Sequence, residues 1–347
     1  MPKYPLAIAF LAALLFGAAT PASKALLRTL PTFQLAGLLY LGAAIGVIPL
    51  LIKERSFSWP WNLDRETGLR LLGATGFGGI AGPVFLLFGL KLASSASVSL
   101  WLNLELIATV ILGYLIFRDK LCINGWVAII GTLAASTLLS LSEGHAGVQA
   151  GLLVTIACMC WGLDNHFTAL ITGITPAQTT FWKGLVAGFV NLIIGMGLNS
   201  YMATISLTAA ALIVGIFSYG ISIVLYITSA QKLGATRSQI IFSSSPFFGV
   251  IMAATFLGES ISLAQILATV LIIISLAFLF FERHGHLHRH EVTAHEHWHR
   301  HDDGHHNHVF PGMPGAIYHS HWHEHRAITH AHPHWPDPYH RHEHEDE

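Results

Sequence analysis

Ten stretches of roughly twenty apolar residues follow one another from residue 5 to residue 281, and they limit what this chain can become. They fall at 5–27, 33–52, 70–90, 95–116, 124–142, 150–171, 177–198, 208–230, 238–257 and 262–281. A helix of about 20 residues crosses the hydrocarbon core, and there its backbone must satisfy its own hydrogen bonds because no water is present. The spacing predicts an all-α membrane protein with ten transmembrane helices and the lipid bilayer as its constant partner. Composition agrees, with 53% hydrophobic residues, 11% charged and a mean hydropathy of +0.56. No soluble catalytic constellation, phosphate-binding loop or nucleic-acid motif interrupts the runs, so neither an enzyme nor a nucleic-acid binder is expected. Cys122, Cys158 and Cys160 build no disulfide framework and read as small apolar residues.

Charge is divided unevenly. Residues 1–283 hold 14 Lys/Arg and 9 Asp/Glu, whereas 284–347 hold 4 and 10 together with 21 of the 23 histidines. Between the runs, Lys53, Arg55, Arg65 and Arg70, then Arg118 and Lys120, then Lys232 and Arg237 all fall on one side; the other side holds little beyond Arg28 and Lys91. The excess of basic residues in cytoplasmic loops then places both termini in the cytoplasm, in the plasma or inner membrane. Trp59 and Trp61 suit an interfacial anchor. The opening "MPKYPLAIAFLAALLFGAAT" has the outline of a signal peptide, but the repeat described next marks it as a retained first helix.

The two halves echo one another. "LLFGAATPASKALL" stands beside "MCWGLDNHFTALIT", "KLASSAS" beside "KLGATRS", and "LNLELIATVILGYLIFRDKL" beside "FSSSPFFGVIMAATFLGESI", in the same order. A five-helix unit, 5–142, thus recurs at 150–281. Because five is odd, the second copy enters from the opposite face. Inverted repeats of this kind hold substrate near the midplane between the halves.

These residues resemble the drug/metabolite transporter superfamily, specifically EamA-type transporters. In that family a Glu-Pro or similar pair is followed by an apolar run, Gly-Glu and a final helix. Here the pattern is Ser245-Pro246 and then Gly258-Glu259; in the first copy it is Glu105-Leu106 and then Arg118-Asp119. The resemblance implies two inverted five-helix repeats, a central cavity between helices 1–4 and 6–9, peripheral helices 5 and 10, and export of small metabolites. Leu106 stands at the usual proline position and Asp119 at the usual glutamate, so the first copy is expected to lack the helix break that the motif supplies.

Ionisable groups deep in lipid cost at least ~2.5 kcal/mol on insertion scales, so each needs a reason. Glu105, beside Asn103 in mid-helix, reads either as a protonatable group that couples proton release to substrate movement or as a hydrogen-bonded packing residue. Asp164 and Lys183 reach the same depth in an antiparallel hairpin and can pair, either across a substrate cavity or merely to neutralise each other; alone, Lys183 would snorkel. His166 reads as a titrating or ligating group, or as a bonded core histidine. Lys24 is expected to snorkel at the outer end of the first helix. Trp101, Trp161, Trp182 and Phe242 read equally as cavity walls and as packing residues. In "FSSSP", Pro246 removes a backbone donor, and hydroxyls such as that of Ser244 can serve the freed carbonyls or a polar solute.

Residues 284–347 contain five Leu, Ile or Val, frequent Pro and alternating histidines, a composition that forms no hydrophobic core. This disordered tail carries "HEHWHRH" (His295, His297, His299, His301) and "HSHWHEH" (His319, His321, His323, His325). His-x-His spacing suits Zn, Ni or Cu through imidazole nitrogens. An alternative for the tail is a polyelectrolyte that becomes cationic as its histidines protonate. No resident cofactor is required, and the partners expected are the bilayer, a small-molecule substrate and divalent metal ions at the tail, in a monomer or homodimer. Two functions stand. One is a secondary transporter that exports a small metabolite by alternating access, with the tail as a cytoplasmic accessory. The other is a divalent cation (Zn/Ni/Co/Cu) transporter, or a membrane-anchored metal sensor or buffer.

Overall fold

The computed structural model describes residues 3–54, 57–117, 123–199, 204–233, 241–280, 285–290, 293–299, 319–325 and 328–333. The chain divides into two units, Met1–Glu282 and Arg283–Glu347. In the first, every regular element among the described residues is helical.

In chain order the α-helices are α1 (Lys3–Gly17), α2 (Ala19–Leu26), α3 (Thr32–Leu51), α4 (Arg65–Gly73), α5 (Gly82–Leu92), α6 (Ser95–Trp101), α7 (Leu104–Leu112), α8 (Ile123–Ser142), α9 (Gly144–Ala169), α10 (Pro176–Leu198), α11 (Ile205–Val214), α12 (Ser222–Leu233), α13 (Ser245–Phe256) and α14 (Leu263–Phe280). Several join end to end, and eight of the resulting stretches are long and apolar enough to cross a membrane: Leu6–Leu26, Thr32–Leu51, Arg65–Leu92, Ser95–Ile116, Ile123–Ser142, Gly144–Ala169, Pro176–Leu198 and Ile205–Tyr226. Two shorter apolar helices, Ser245–Phe256 and Leu263–Phe278, follow. Outward faces carry large apolar side chains such as Ile205, Phe256 and Ile123, at 91%, 81% and 75% exposure, which only a lipid surround makes inexpensive.

The central seam is α3 against α10. Glycines let the two backbones touch: a Cβ on Gly37 would lie 2.7 Å from the Leu192 nitrogen, and one on Gly184 would lie 2.8 Å from the Tyr40 carbonyl oxygen. Between membrane helices, where hydrophobic driving force is absent, such close packing supplies much of the attraction.

The spans are interrupted at definite places. Wide π-helical turns occupy Ala74–Ala81, Gly113–Phe117 and Gly215–Ile221. In the first of them, Gly82 N–H donates to the Phe77 carbonyl, and the next residue, Pro83, has no N–H to continue the series. The carbonyls of Gly78 and Gly79 are therefore free for side chains. The fourth span breaks at Leu102–Asn103, between α6 and α7. That corrects the expectation drawn from Leu106: no proline is needed, because the Asn103 amide turns back to donate to the Leu100 carbonyl at 2.9 Å. The corresponding break before α13 lies at Ser243–Ser244, where the Ser244 hydroxyl donates to the Ile241 carbonyl at 2.6 Å. Arg118-Asp119 lies outside the described residues, as does His301.

Within the second unit, four strands fall among the described residues. β1 (Gly285–His290) pairs with β4 (Ile328–Pro333), and β2 (Thr293–His299) pairs with β3 (His319–His325), both antiparallel. Alternating composition has a period of two, which an extended ladder accommodates and a helix does not.

Candidate functional site

The π turn of the third span organises the interior. Its Gly78 carbonyl accepts from the Tyr40 hydroxyl at 2.5 Å and from the Trp161 indole at 3.0 Å, while the Asn191 amide donates to the Gly79 carbonyl at 3.2 Å. Three side chains from α3, α9 and α10 thus collect what Pro83 leaves unbonded. Gly78 also makes room for the Asp164 carboxylate, with which any Cβ at that position would overlap. Lys183 Nζ donates to Asp164 Oδ2 at 2.7 Å, and the Thr168 hydroxyl donates to Oδ1 at 2.9 Å. The two charges expected to share a depth do meet. Lys183 is bound inward, so it does not snorkel.

Beside this pair stands Glu105, at the middle of the span Ser95–Ile116 and only partly buried. Its Oε1 accepts from the Asn165 amide at 3.2 Å, and that amide also donates to the Thr109 hydroxyl at 3.1 Å. Asn165 is exposed. Asn165 was not singled out from the sequence, although a signal existed: Trp161, Asp164, Asn165 and Thr168 fall at i, i+3, i+4 and i+7, one face of α9. His166 turns to the Thr109 carbonyl at 3.0 Å.

Five aromatic rings lie against one another, and of these only Phe242 was singled out from the sequence. Phe16 lies 5.9 Å from Tyr219 and 5.2 Å from Phe242; Tyr40 lies 5.7 Å from Tyr219, and Tyr226 lies 4.7 Å from Phe242. Glu105 is within electrostatic reach of Tyr40, Tyr219, Tyr226 and Asp164. The arrangement gathers a carboxylate, an amide and an ion pair, with tyrosine rings within electrostatic reach of the carboxylate.

Other sequence candidates serve packing. Trp101 is fully buried and donates to the Ser136 carbonyl at 3.1 Å; Asn103 and Ser244 cap their helix breaks. Trp182 donates to the Ser58 carbonyl at 3.1 Å, beside the stacked Trp59 and Trp61. Lys24 does not snorkel: its Nζ donates to the Leu90 and Ala93 carbonyls at 2.7 and 2.8 Å, holding the end of α5.

The start of α6 is sealed by carboxylates from distant segments. Glu259 accepts from Ser95 N–H and Ala96 N–H, both at 3.0 Å, and from the Ser95 hydroxyl at 2.7 Å. Glu143 accepts from the hydroxyls of Ser94 and Ser97, and the Gln265 amide donates to the same two oxygens. At the start of α10, Glu54 accepts from the Thr175 hydroxyl and the Gln178 amide, both at 2.7 Å.

Helices of spanning length around an interior ion pair define a multi-pass membrane protein. The chain belongs to the EamA-like transporter family, whose description matches residues 3–141 and again 149–281, and with it to the drug/metabolite transporter superfamily. An uncharacterized transporter of Methanothermobacter thermautotrophicus is 30% identical over 198 residues, 54% of this chain and 57% of the relative, so the match spans little more than half of that protein. A solved crystal structure aligns with a TM-score of 0.59 at 17% identity, covering 80% of this chain and 98% of the other; that likeness concerns fold alone.

Proposed function

We propose that this transporter exports a small organic metabolite across the plasma or inner membrane by alternating access between two five-helix halves of opposite orientation. The observation that carries the reading is Glu105, a carboxylate halfway through a span, bonded to an exposed Asn165 and set beside the Asp164–Lys183 pair. A carboxylate at that depth that exchanges its proton for substrate, or for substrate's own charge, supplies the coupling that a secondary carrier needs.

Three features support the paired halves. The family description matches twice; π turns interrupt the third span and the span Ile205–Tyr226; and tightened turns fall at Leu102–Asn103 and Ser243–Ser244. The basic loops support cytoplasmic termini. Among the described residues no three His, Cys, Asp or Glu side chains gather, so the bundle offers more to an organic solute than to a bare cation. The tail is read as a divalent-metal binder beside the carrier rather than part of its path.

The test is flux in proteoliposomes across a pool of small metabolites, with and without a pH gradient. Glu105→Gln is expected to abolish the gradient-driven component, and Glu105→Asp to restore part of it. Wild-type flux in Glu105→Gln for every solute carried would overturn the coupling role.

A further inference from the structure

A small cavity lies where α1, α2, α6 and α13 meet. Gly17, Thr20, Ser99, Leu102, Ser245 and Pro246 are among its walls, and its volume of about 10 Å³ admits one water molecule or one bare ion. Glycines bring the elements this close: a Cβ on Gly17 would overlap the Ser245 carbonyl oxygen, and one on Gly249 would stand 2.5 Å from Ser99 Oγ and 3.1 Å from the Gly17 carbonyl oxygen. Ser99 Oγ and the Gly17 oxygen therefore face the same spot.

The lining is polar yet shut off from the surroundings, with Thr20, Ser99 and Ser245 at 3%, 1% and 4% exposure. Ser99 Oγ has no hydrogen-bond partner, a costly state for a buried hydroxyl unless an occupant of the cavity bonds it. Gly17 ends α1, and the regular donor to its carbonyl would be residue 21, a proline without an N–H. The start of α13 turns no amide inward: Pro246 has none, and the N–H groups of Phe247 and Phe248 both donate to the Ser244 carbonyl, at 3.1 and 3.3 Å. Oxygens thus face the space, and the C-terminal end of α1 adds partial negative charge. That favours a cation. Among the described residues no carboxylate lines the cavity, which leaves out Ca(II) and Mg(II), whose sites are built on carboxylates. Carbonyls and helix ends at interruptions between two repeats are the setting in which membrane carriers hold Na⁺. Turns interrupt all three segments here, at Ala18, at Leu102–Asn103 and at Ser243–Ser244. α1, α2 and α6 belong to the first family-matched stretch and α13 to the second.

We infer that this crossing is a sodium site, with the hydroxyls of Ser99 and Thr20, the Gly17 carbonyl and Ser245 as its oxygen donors. A bound ion ties the two halves together. The site stands whether or not Glu105 carries a proton.

The test is thermal unfolding of the full-length protein in detergent, titrated with NaCl, KCl or choline chloride at one ionic strength. A ligand that binds only the folded state raises the midpoint in proportion to the logarithm of its concentration above Kd. Na⁺ is expected to raise it saturably, and K⁺ and choline are not. Ser99→Ala and Thr20→Val should each weaken the apparent Na⁺ affinity at least tenfold; Ser99→Cys, which keeps the shape with a soft and poor sodium ligand, should do the same if Ser99→Ala does not fold. Thr132→Val removes a hydroxyl that is equally buried and unpartnered but does not line the cavity, so it should leave the response unchanged, as should Glu105→Gln. Equal midpoints in the three salts would mean that the cavity takes water alone, and a sodium response that survives both Ser99→Ala and Thr20→Val would place the ion elsewhere. Either result overturns the site and leaves the coupling role of Glu105 to its own assay.

Discussion

Removing Asp164 alone is expected to cost the bundle about 3–5 kcal/mol, whereas removing Asp164 and Lys183 together costs far less. The asymmetry follows from geometry. Asp164 is 5% exposed, and each of its carboxylate oxygens already has a donor, Lys183 at 2.7 Å and Thr168 at 2.9 Å. In Asp164→Asn the Lys183 ammonium is left without its counter-charge. It stands seven residues inside α10, ~10 Å from the helix start at 1.5 Å per residue, which is farther than its stem reaches. In Lys183→Met the carboxylate is orphaned and too short to leave. Asp164→Asn with Lys183→Met removes both charges and should cost about 1 kcal/mol, so the two single costs together should exceed the cost of the double variant by about 5 kcal/mol or more. Urea or thermal unfolding of the purified protein in one detergent measures all four members. If each single variant costs under about 1 kcal/mol and the costs simply add, the two charges do not meet in the protein, and the polar cluster around Glu105 loses its anchor.

Gly78→Ala places a Cβ on the Asp164 carboxylate and should destabilise by about 1–3 kcal/mol in the same unfolding assay, with Lys183→Met relieving none of it. Glu259→Gln keeps the shape of the α6 seal but weakens three charge-assisted bonds, and should cost about 1–3 kcal/mol and speed labelling of an Ala96→Cys thiol by a membrane-impermeant reagent; unchanged labelling would show that this end is not held by Glu259. Asp64 accepts from Thr67 N–H, which holds its carboxyl below 3.8; its folded pKa being depressed, its contribution is present above that value and lost as pH falls through the lower folded one, so fraying of α4 should begin only below 3.8, as read by hydrogen exchange at Thr67.

Much of the membrane fold was legible because twenty-residue apolar runs admit almost one solution in lipid. The Asp164–Lys183 contact was legible too, since an antiparallel hairpin converts residue counts into depth. What stayed hidden depends on neighbours that sequence distance does not reveal. Tyr40, Tyr219 and Tyr226 look like ordinary apolar-helix residues until the seam of α3 and α10 fixes where they stand. Lys24 reads as a snorkelling lysine until the open end of α5 is placed within its reach.

The broken fourth span shows why motif logic misled. A proline is one way to interrupt a helix in lipid, because it deletes a donor and leaves a carbonyl for something else to satisfy. What an interruption requires, however, is only that the freed carbonyl find a partner. Asn103 meets that need for Leu100, and Ser244 meets it for Ile241, at positions offset by a single residue in the two echoed stretches. Different side chains thus maintain the same local geometry in both halves. The consequence is placement: with the break just ahead of it, Glu105 begins a fresh helix, α7, and is carried to the Asn165 amide. Asn103→Leu should therefore mend the helix, draw Glu105 off Asn165 and lower gradient-driven flux by at least tenfold, while Asn103→Ser, which can still bond the Leu100 carbonyl, should keep most of it. Equal flux in the two variants would mean that the break does not position the carboxylate.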